Sequence, residues 1–119
     1  MAKSLLLICR QSPWAGTAAR EALDIALAGG AFELPIALLF MDDGVLQLLP
    51  DQQPALLEQK DLGANLQALP LFGVDQLYVC RDSLARRGLA DAALALPTTP
   101  LQGAELPALV ARYDLVMTL

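Results

Sequence analysis

The fold is decided by residues 34–44, which read LPIALLFMDDG. The apolar residues of this run do not alternate with polar ones, and that pattern is typical of a strand covered on both faces. Pro35 stands near the start of the run, where a missing backbone donor matters least. The run therefore predicts a buried strand that ends in the turn Asp42-Asp43-Gly44.

Apolar runs and helix-like patterns alternate along the rest of the chain. Strands are predicted at residues 4–9, 34–41, 76–80 and 113–119. Helices are predicted from residue 15 to about 28, where Gly29-Gly30 ends the first one, over 54–69, after a cap at Asp82 or Ser83 up to Gly88, and over 103–112. Pro97 and Pro100 restrict residues 90–101 to an edge strand or an extended loop.

This alternation indicates a mostly parallel five-stranded sheet with helices on both faces. The expected architecture is a three-layer α/β/α sandwich of the flavodoxin-like or Rossmann-like kind. A chain of 119 residues has room for one such core, so residues 1–119 are expected to form a single domain.

Charge and composition exclude several classes of function. The formal net charge is −5 and the chain has no histidine. An acidic chain repels a phosphate backbone, so direct nucleic-acid binding is not expected. Without histidine the chain lacks the usual proton shuttle and the commonest metal ligand, and we expect neither a metal nor a cofactor. Two cysteines, no signal-peptide pattern and no membrane-length apolar run predict a cytoplasmic protein with reduced thiols.

The apolar content is high for a soluble chain of this size. It reaches 55% without glycine, against about 45–50% with glycine in ordinary soluble domains. A small domain cannot bury all of this surface, and exposed apolar patches mark sites of association. The composition therefore predicts a partner protein. The candidate contact residues are Trp14, Val45, Leu46, Leu48 and Leu49, although the last four are as well explained by packing over the sheet edge.

Cys80 is the leading candidate for chemistry. It falls where a predicted strand ends and a helix begins, so the unpaired amides and the dipole of that helix would favour a thiolate. Arg81, Arg86 and Arg87 add positive charge, which Asp82 partly offsets. A thiolate there could accept a sulfane sulfur and hold it as a persulfide. The alternative is a buried, inert cysteine at the end of a strand.

Three other features have weaker functional interpretations. Cys9 also ends a predicted strand and could approach Cys80 if the first and third strands are neighbours, but a core cysteine is favoured. The Asp42-Asp43 pair could hold Mg²⁺, although it is ordinary turn chemistry. Residues 12–17, SPWAGT, could bind an anion at a helix start, which leaves a small-ligand or nucleotide-binding regulatory domain as a rival interpretation.

Several segments together resemble the DsrE/DsrF-like family, and within it the TusC/DsrF branch. They are GTAARE at residues 16–21, FMDDGVLQLLP at 40–50, YVC at 78–80 with SLARRGL at 83–89, and YDLV at 113–116. These segments span nearly the whole chain in the same order. The DGVLQLLP pattern of residues 43–50 is the most specific of them.

The resemblance implies a sulfur-relay hetero-oligomer with related TusB/TusD-like (DsrH/DsrE-like) subunits, typically a hexamer made of pairs of three related chains. One branch of the family passes persulfide sulfur towards tRNA wobble 2-thiouridine, and another serves dissimilatory sulfur oxidation. The family's sulfur-carrying cysteine belongs to the TusD/DsrE-type subunit, at the position that Cys80 matches. TusC/DsrF-type chains are regarded as partners without the essential thiol, which implies a mainly structural chain, with a persulfide role of Cys80 as the alternative.

Overall fold

The computed structural model describes residues 3–12, 16–49, 68–94 and 97–119. The described residues form five strands, β1 (Leu5–Cys9), β2 (Ile36–Phe40), β3 (Gln76–Cys80), β4 (Thr99–Leu101) and β5 (Leu115–Thr118). Their order across the sheet is β4-β3-β2-β1-β5, and every neighbouring pair is parallel. The predicted five-stranded parallel sheet is confirmed, and residues 99–101 form one of its two edge strands.

Helical segments connect the strands. In the described part of the chain the α-helices are α1 (Ala18–Ala31), α2 (Arg81–Arg86) and α3 (Leu106–Ala111). Short 3-10 helices cover Asp42–Leu48, Leu69–Phe72 and Gly103–Glu105. The helix predicted over residues 54–69 lies outside the described residues except for its last two. No helix among the described residues is long and apolar enough to cross a membrane.

The sheet has a separate apolar core on each face. Strand β2 lies at the centre, and all five of its side chains are buried. One face carries Leu7, Leu38 and Val79 against α1, α2 and the 42–48 helix, and the other packs Leu39 against Leu109 of α3. This arrangement gives the three layers expected from strands that are apolar on both faces.

The first helix runs further than the sequence predicted. Gly29-Gly30 was expected to end it, but α1 continues through both glycines to Ala31, and the chain turns at Glu33 with a φ of 60°. Both glycines are buried because they lie against other segments: a Cβ on Gly29 would overlap the Ile36 side chain, and one on Gly30 would meet the Phe72 carbonyl. The expectation was wrong because glycine here permits close packing instead of terminating the helix.

We expect the central strand to dominate stability. Leu38 is 1% exposed in β2, so Leu38→Ala removes buried contacts and leaves a cavity, which should cost about 2–5 kcal/mol. Leu71→Ala is the matched control, because that side chain is 87% exposed and its truncation should change stability by no more than about 0.5 kcal/mol. Urea unfolding followed by circular dichroism measures both. Equal losses in the two variants would contradict this core assignment.

Candidate functional site

The carboxyl edge of the sheet gathers the polar residues that the sequence singled out. Strands β1, β2 and β3 are parallel and adjacent, so Cys9, Asp42 and Cys80 all lie at their carboxyl ends. Ligands of open parallel sheets bind at this edge. The 42–48 helix follows β2 directly and occupies part of the same edge.

Both carboxylates of the Asp42-Asp43 pair are engaged by arginines. Arg10 Nε lies 2.6 Å from Asp42 Oδ2, and Arg87 donates to Asp43 Oδ1 from Nε at 3.0 Å and Nη2 at 2.8 Å. The Asp42 backbone N–H donates to Ser83 Oγ at 2.8 Å. The pair therefore fastens the 42–48 helix to the loop after β1 and to α2. Among the described residues no cluster of three potential ligands could hold a metal ion.

The 42–48 helix also lies unusually close to the end of β1. A Cβ on Gly44 would overlap the Cys9 carbonyl oxygen, so no larger residue fits without moving the backbone. Gln47, which is 3% exposed, donates from Nε2 to the Gln11 carbonyl at 2.9 Å. These contacts give the DGVLQLLP pattern a physical reason: its Asp43, Gly44 and Gln47 each make a specific contact with another segment.

The proposed contact residues of this helix divide into two pairs. Val45 and Leu48 are fully buried in the core on the α1 face, so in the isolated chain they have no surface to offer a partner. Leu46 and Leu49 are half-buried. Trp14 lies outside the described residues. The interface prediction for this group stays a prediction, and its accessible part is Leu46 and Leu49.

Cys80 closes β3 and is 4% exposed. Helix α2 begins at the next residue, so Cys80 itself is the cap residue, and the predicted cap at Asp82 or Ser83 is wrong. The physical reason is that both side chains are used elsewhere. Asp82 Oδ2 accepts a hydrogen bond from the Gly103 N–H at 3.0 Å, and Ser83 Oγ accepts the one from Asp42.

The two thiols lie on opposite faces of the sheet. Strand β2 separates β1 from β3, so the condition for a close approach of Cys9 and Cys80 is not met: two strand spacings amount to about 10 Å, beyond the roughly 7 Å between Cα atoms that a disulfide tolerates. The register aligns Cys9 with Phe40 and Phe40 with Val79, so Cys80, one residue on, faces the other way. Burial raises the pKa of Cys9 to about 12.

An open groove of about 750 Å³ runs between α2 and β4. It is lined by Val79 and Arg81, which flank Cys80, but Cys80 is not among its lining residues in the described part of the chain. This follows from the pleat, because Cys80 faces the α3 side. The groove therefore does not open onto the thiol.

Comparison with known proteins now identifies the family. The model of the DsrE/DsrF-like family matches residues 3–119. The chain belongs to the DsrE/DsrF-like family. It is 63% identical over 119 residues to a protein named TusC homolog from Pseudomonas aeruginosa, and the match covers all of both chains. The crystal structure of the ychN protein from E. coli shares the fold, with a TM-score of 0.85, 23% identity and full coverage of both chains.

The sequence did not locate a group of exposed large apolar side chains of this DsrE/DsrF-like chain. Phe32 (81%) and Leu34 precede β2, while Leu71 (87%) and Phe72 precede β3. Because β2 and β3 are parallel neighbours, all four lie at the amino edge of the sheet, opposite Cys80, and we call them the amino-edge patch. Phe32, Leu71 and Phe72 could have been recognised as large apolar residues outside the predicted strands and helices. Leu34 was expected to begin the buried strand 34–41, but it precedes β2 and is 44% exposed.

We expect both thiols of this DsrE/DsrF-like chain to resist alkylation in the folded state. Cys9 is 2% and Cys80 is 4% exposed, and the raised pKa of Cys9 keeps that thiol protonated at mildly alkaline pH. Iodoacetamide labelling followed by peptide mass spectrometry should modify each cysteine far more slowly in buffer than in urea. Labelling of Cys80 in the folded chain at the rate of the unfolded control would show an accessible, reactive thiol.

Proposed function

We propose that this chain is a mainly structural subunit of a cytoplasmic sulfur-relay hetero-oligomer. Its partners are related TusB/TusD-like subunits, and the assembly passes persulfide sulfur towards wobble 2-thiouridine in tRNA. Membership of the DsrE/DsrF-like family and full-length similarity to a TusC homolog support a sulfur-relay subunit. In this proposal residues 1–119 act as one domain, and the chain needs no metal or cofactor of its own.

The amino-edge patch is the observation that carries the assembly part of the proposal. Phe32 and Leu71 expose most of their side chains, and Leu34 and Phe72 each expose 44%. A group of large apolar residues exposed at one edge of a sheet indicates a protein contact, whereas single scattered ones need no explanation. Aromatic and apolar anchors at the centre of a patch contribute most of the binding energy at such interfaces.

The burial of Cys80 supports a structural role for this chain. Persulfide transfer requires direct contact between the attacking thiolate and the donor sulfur. The rate of transfer therefore depends on how accessible the thiol is. Cys80 is nearly inaccessible and lies outside the groove beside α2. A chain with this geometry supports neighbouring subunits that hold accessible thiols.

The patch is tested by assembly with the partner subunits. In cells that express the three related chains together, the double variant Phe32→Ser/Leu71→Ser should lose most of its co-purification with the partners, because the apolar anchors are removed. Ala108→Ser, an exposed alanine of α3, is the matched control and should assemble normally. Since both patch residues are exposed, circular dichroism should show that the double variant still folds. Normal assembly of the folded double variant would contradict the proposed contact.

The relay role is tested by the thiouridine content of tRNA. In cells that lack the native chain, Cys80→Ser should restore 2-thiouridine as well as the wild type does, whereas the patch variant should not. Loss of 2-thiouridine with Cys80→Ser in an intact assembly would instead support Cys80 as a persulfide carrier. Full 2-thiouridine in the absence of the chain would contradict the tRNA route and support a role in sulfur oxidation.

A further inference from the structure

Strand β5 is exposed on both faces and lies at one edge of the sheet. Leu115 is 51%, Val116 40% and Met117 41% exposed. The register pairs Leu115 with Leu5 and Met117 with Leu7 on the α1 face, so Val116 points to the α3 face. No helix in the described part of the chain buries either side of β5. An apolar strand without cover on either face is unusual for a sheet of this kind.

The backbone of β5 also has an outward side. The N–H groups of Leu115 and Leu119 donate to the carbonyls of Ser4 and Ile8 at 3.0 and 2.9 Å, so they point towards β1. The backbone N–H and C=O groups of successive residues point to opposite sides of a strand. Those of Val116 and Thr118 therefore point away from β1. Within the described residues these groups are available to another strand.

The opposite edge of the sheet is protected in a way that β5 is not. Strand β4 has three residues, with Pro100 in its centre and Pro97 just before it. Short strands and prolines are devices that prevent edge-to-edge pairing. Strand β5 contains no proline and no charged residue.

The charged residues near β5 do not oppose its pairing with an identical strand. Asp114, just before the strand, accepts hydrogen bonds from the Ser4 N–H at 2.9 Å and the Ser4 hydroxyl at 3.2 Å. These bonds hold its pKa below the usual range and tie the carboxylate to the start of β1. The chain has a net charge of −5, yet the strand itself would bring no like charges together.

We propose that β5 pairs antiparallel with β5 of a second copy of this chain. A β5-to-β5 contact is closed by a twofold axis after two copies, whereas β5-to-β4 pairing would continue without end and is blocked by the β4 prolines. The pairing joins the two five-stranded sheets of described residues edge to edge and places the apolar side chains of the two β5 strands beside each other. It needs neither the amino-edge patch nor a sulfur-relay role, so it stands or falls separately from the proposed function.

The outward groups fix the register of the pair. With Met117 opposite Met117 of the second copy, Val116 lies opposite Thr118 on each side, and their outward N–H and C=O groups form four hydrogen bonds. Met117 then occupies a non-hydrogen-bonded position, where directly opposed Cβ atoms are about 4.5–5.5 Å apart and near the range of a disulfide.

Cross-linking tests this register. Met117→Cys should form a covalent dimer under mild oxidation, both in the purified full chain and in the assembly co-purified with its partner subunits. Thr99→Cys, at an exposed position of β4, is the matched control and should stay uncross-linked. The native cysteines are buried in both variants, so they do not contribute.

A second variant tests the backbone hydrogen bonds. Val116→Pro removes an outward N–H and should weaken dimerisation by about tenfold or more, measured by light scattering over a concentration series. Its fold is checked by circular dichroism, and Thr99→Lys on the other edge should leave the dimer intact. Absence of a Met117→Cys cross-link, equal cross-linking of Thr99→Cys, or a wild-type chain that keeps the mass of one copy at every concentration would overturn the proposal.

Discussion

The close approach of Gly44 to the Cys9 carbonyl allows the 42–48 helix to pack against the carboxyl end of β1. The 42–48 helix can lie on the end of β1 only because residue 44 has no side chain. That position lets Val45 and Leu48 complete the core and brings Asp43 within reach of Arg87. The carboxyl ends of β1 and β2, part of the edge where parallel sheets usually bind ligands, are thus covered by the chain itself.

Because the 42–48 helix covers the carboxyl ends of β1 and β2, the exposed apolar surfaces lie elsewhere in the fold. Cys80 is buried behind the capped edge and faces the α3 layer, away from the groove beside α2. The exposed apolar side chains lie at the amino edge and along β5, which are the parts of the sheet that the described helices leave uncovered. In the proposed function such a subunit acts through its contacts, and the two apolar surfaces are proposed to bind two different neighbours.

Much of the fold could be predicted from the sequence, because strands buried on both faces appear as unbroken apolar runs. The end of α1 was predicted wrongly at Gly29-Gly30, because a glycine that ends a helix and one that permits close packing look alike in sequence. The cap of α2 was missed because Asp82 and Ser83 bond to residues distant along the chain. Apolar excess predicted a partner but not its location, since exposure depends on which strands the crossover helices cover. That is why Val45 and Leu48, which the sequence assigned equally to packing and to a subunit contact, are buried while Phe32 and Leu71 are exposed.

The central claim is that this chain functions by binding related subunits through its amino edge, while its own 42–48 helix keeps the carboxyl ends of β1 and β2 covered. Hydrogen–deuterium exchange, measured on the chain alone and in the co-purified assembly, tests it most directly. We expect residues 32–34 and 71–73 to gain protection on assembly and residues 80–86 to exchange equally in both states. Protection confined to residues 80–86, with the amino edge unchanged, would contradict the account and place the partner at Cys80 instead.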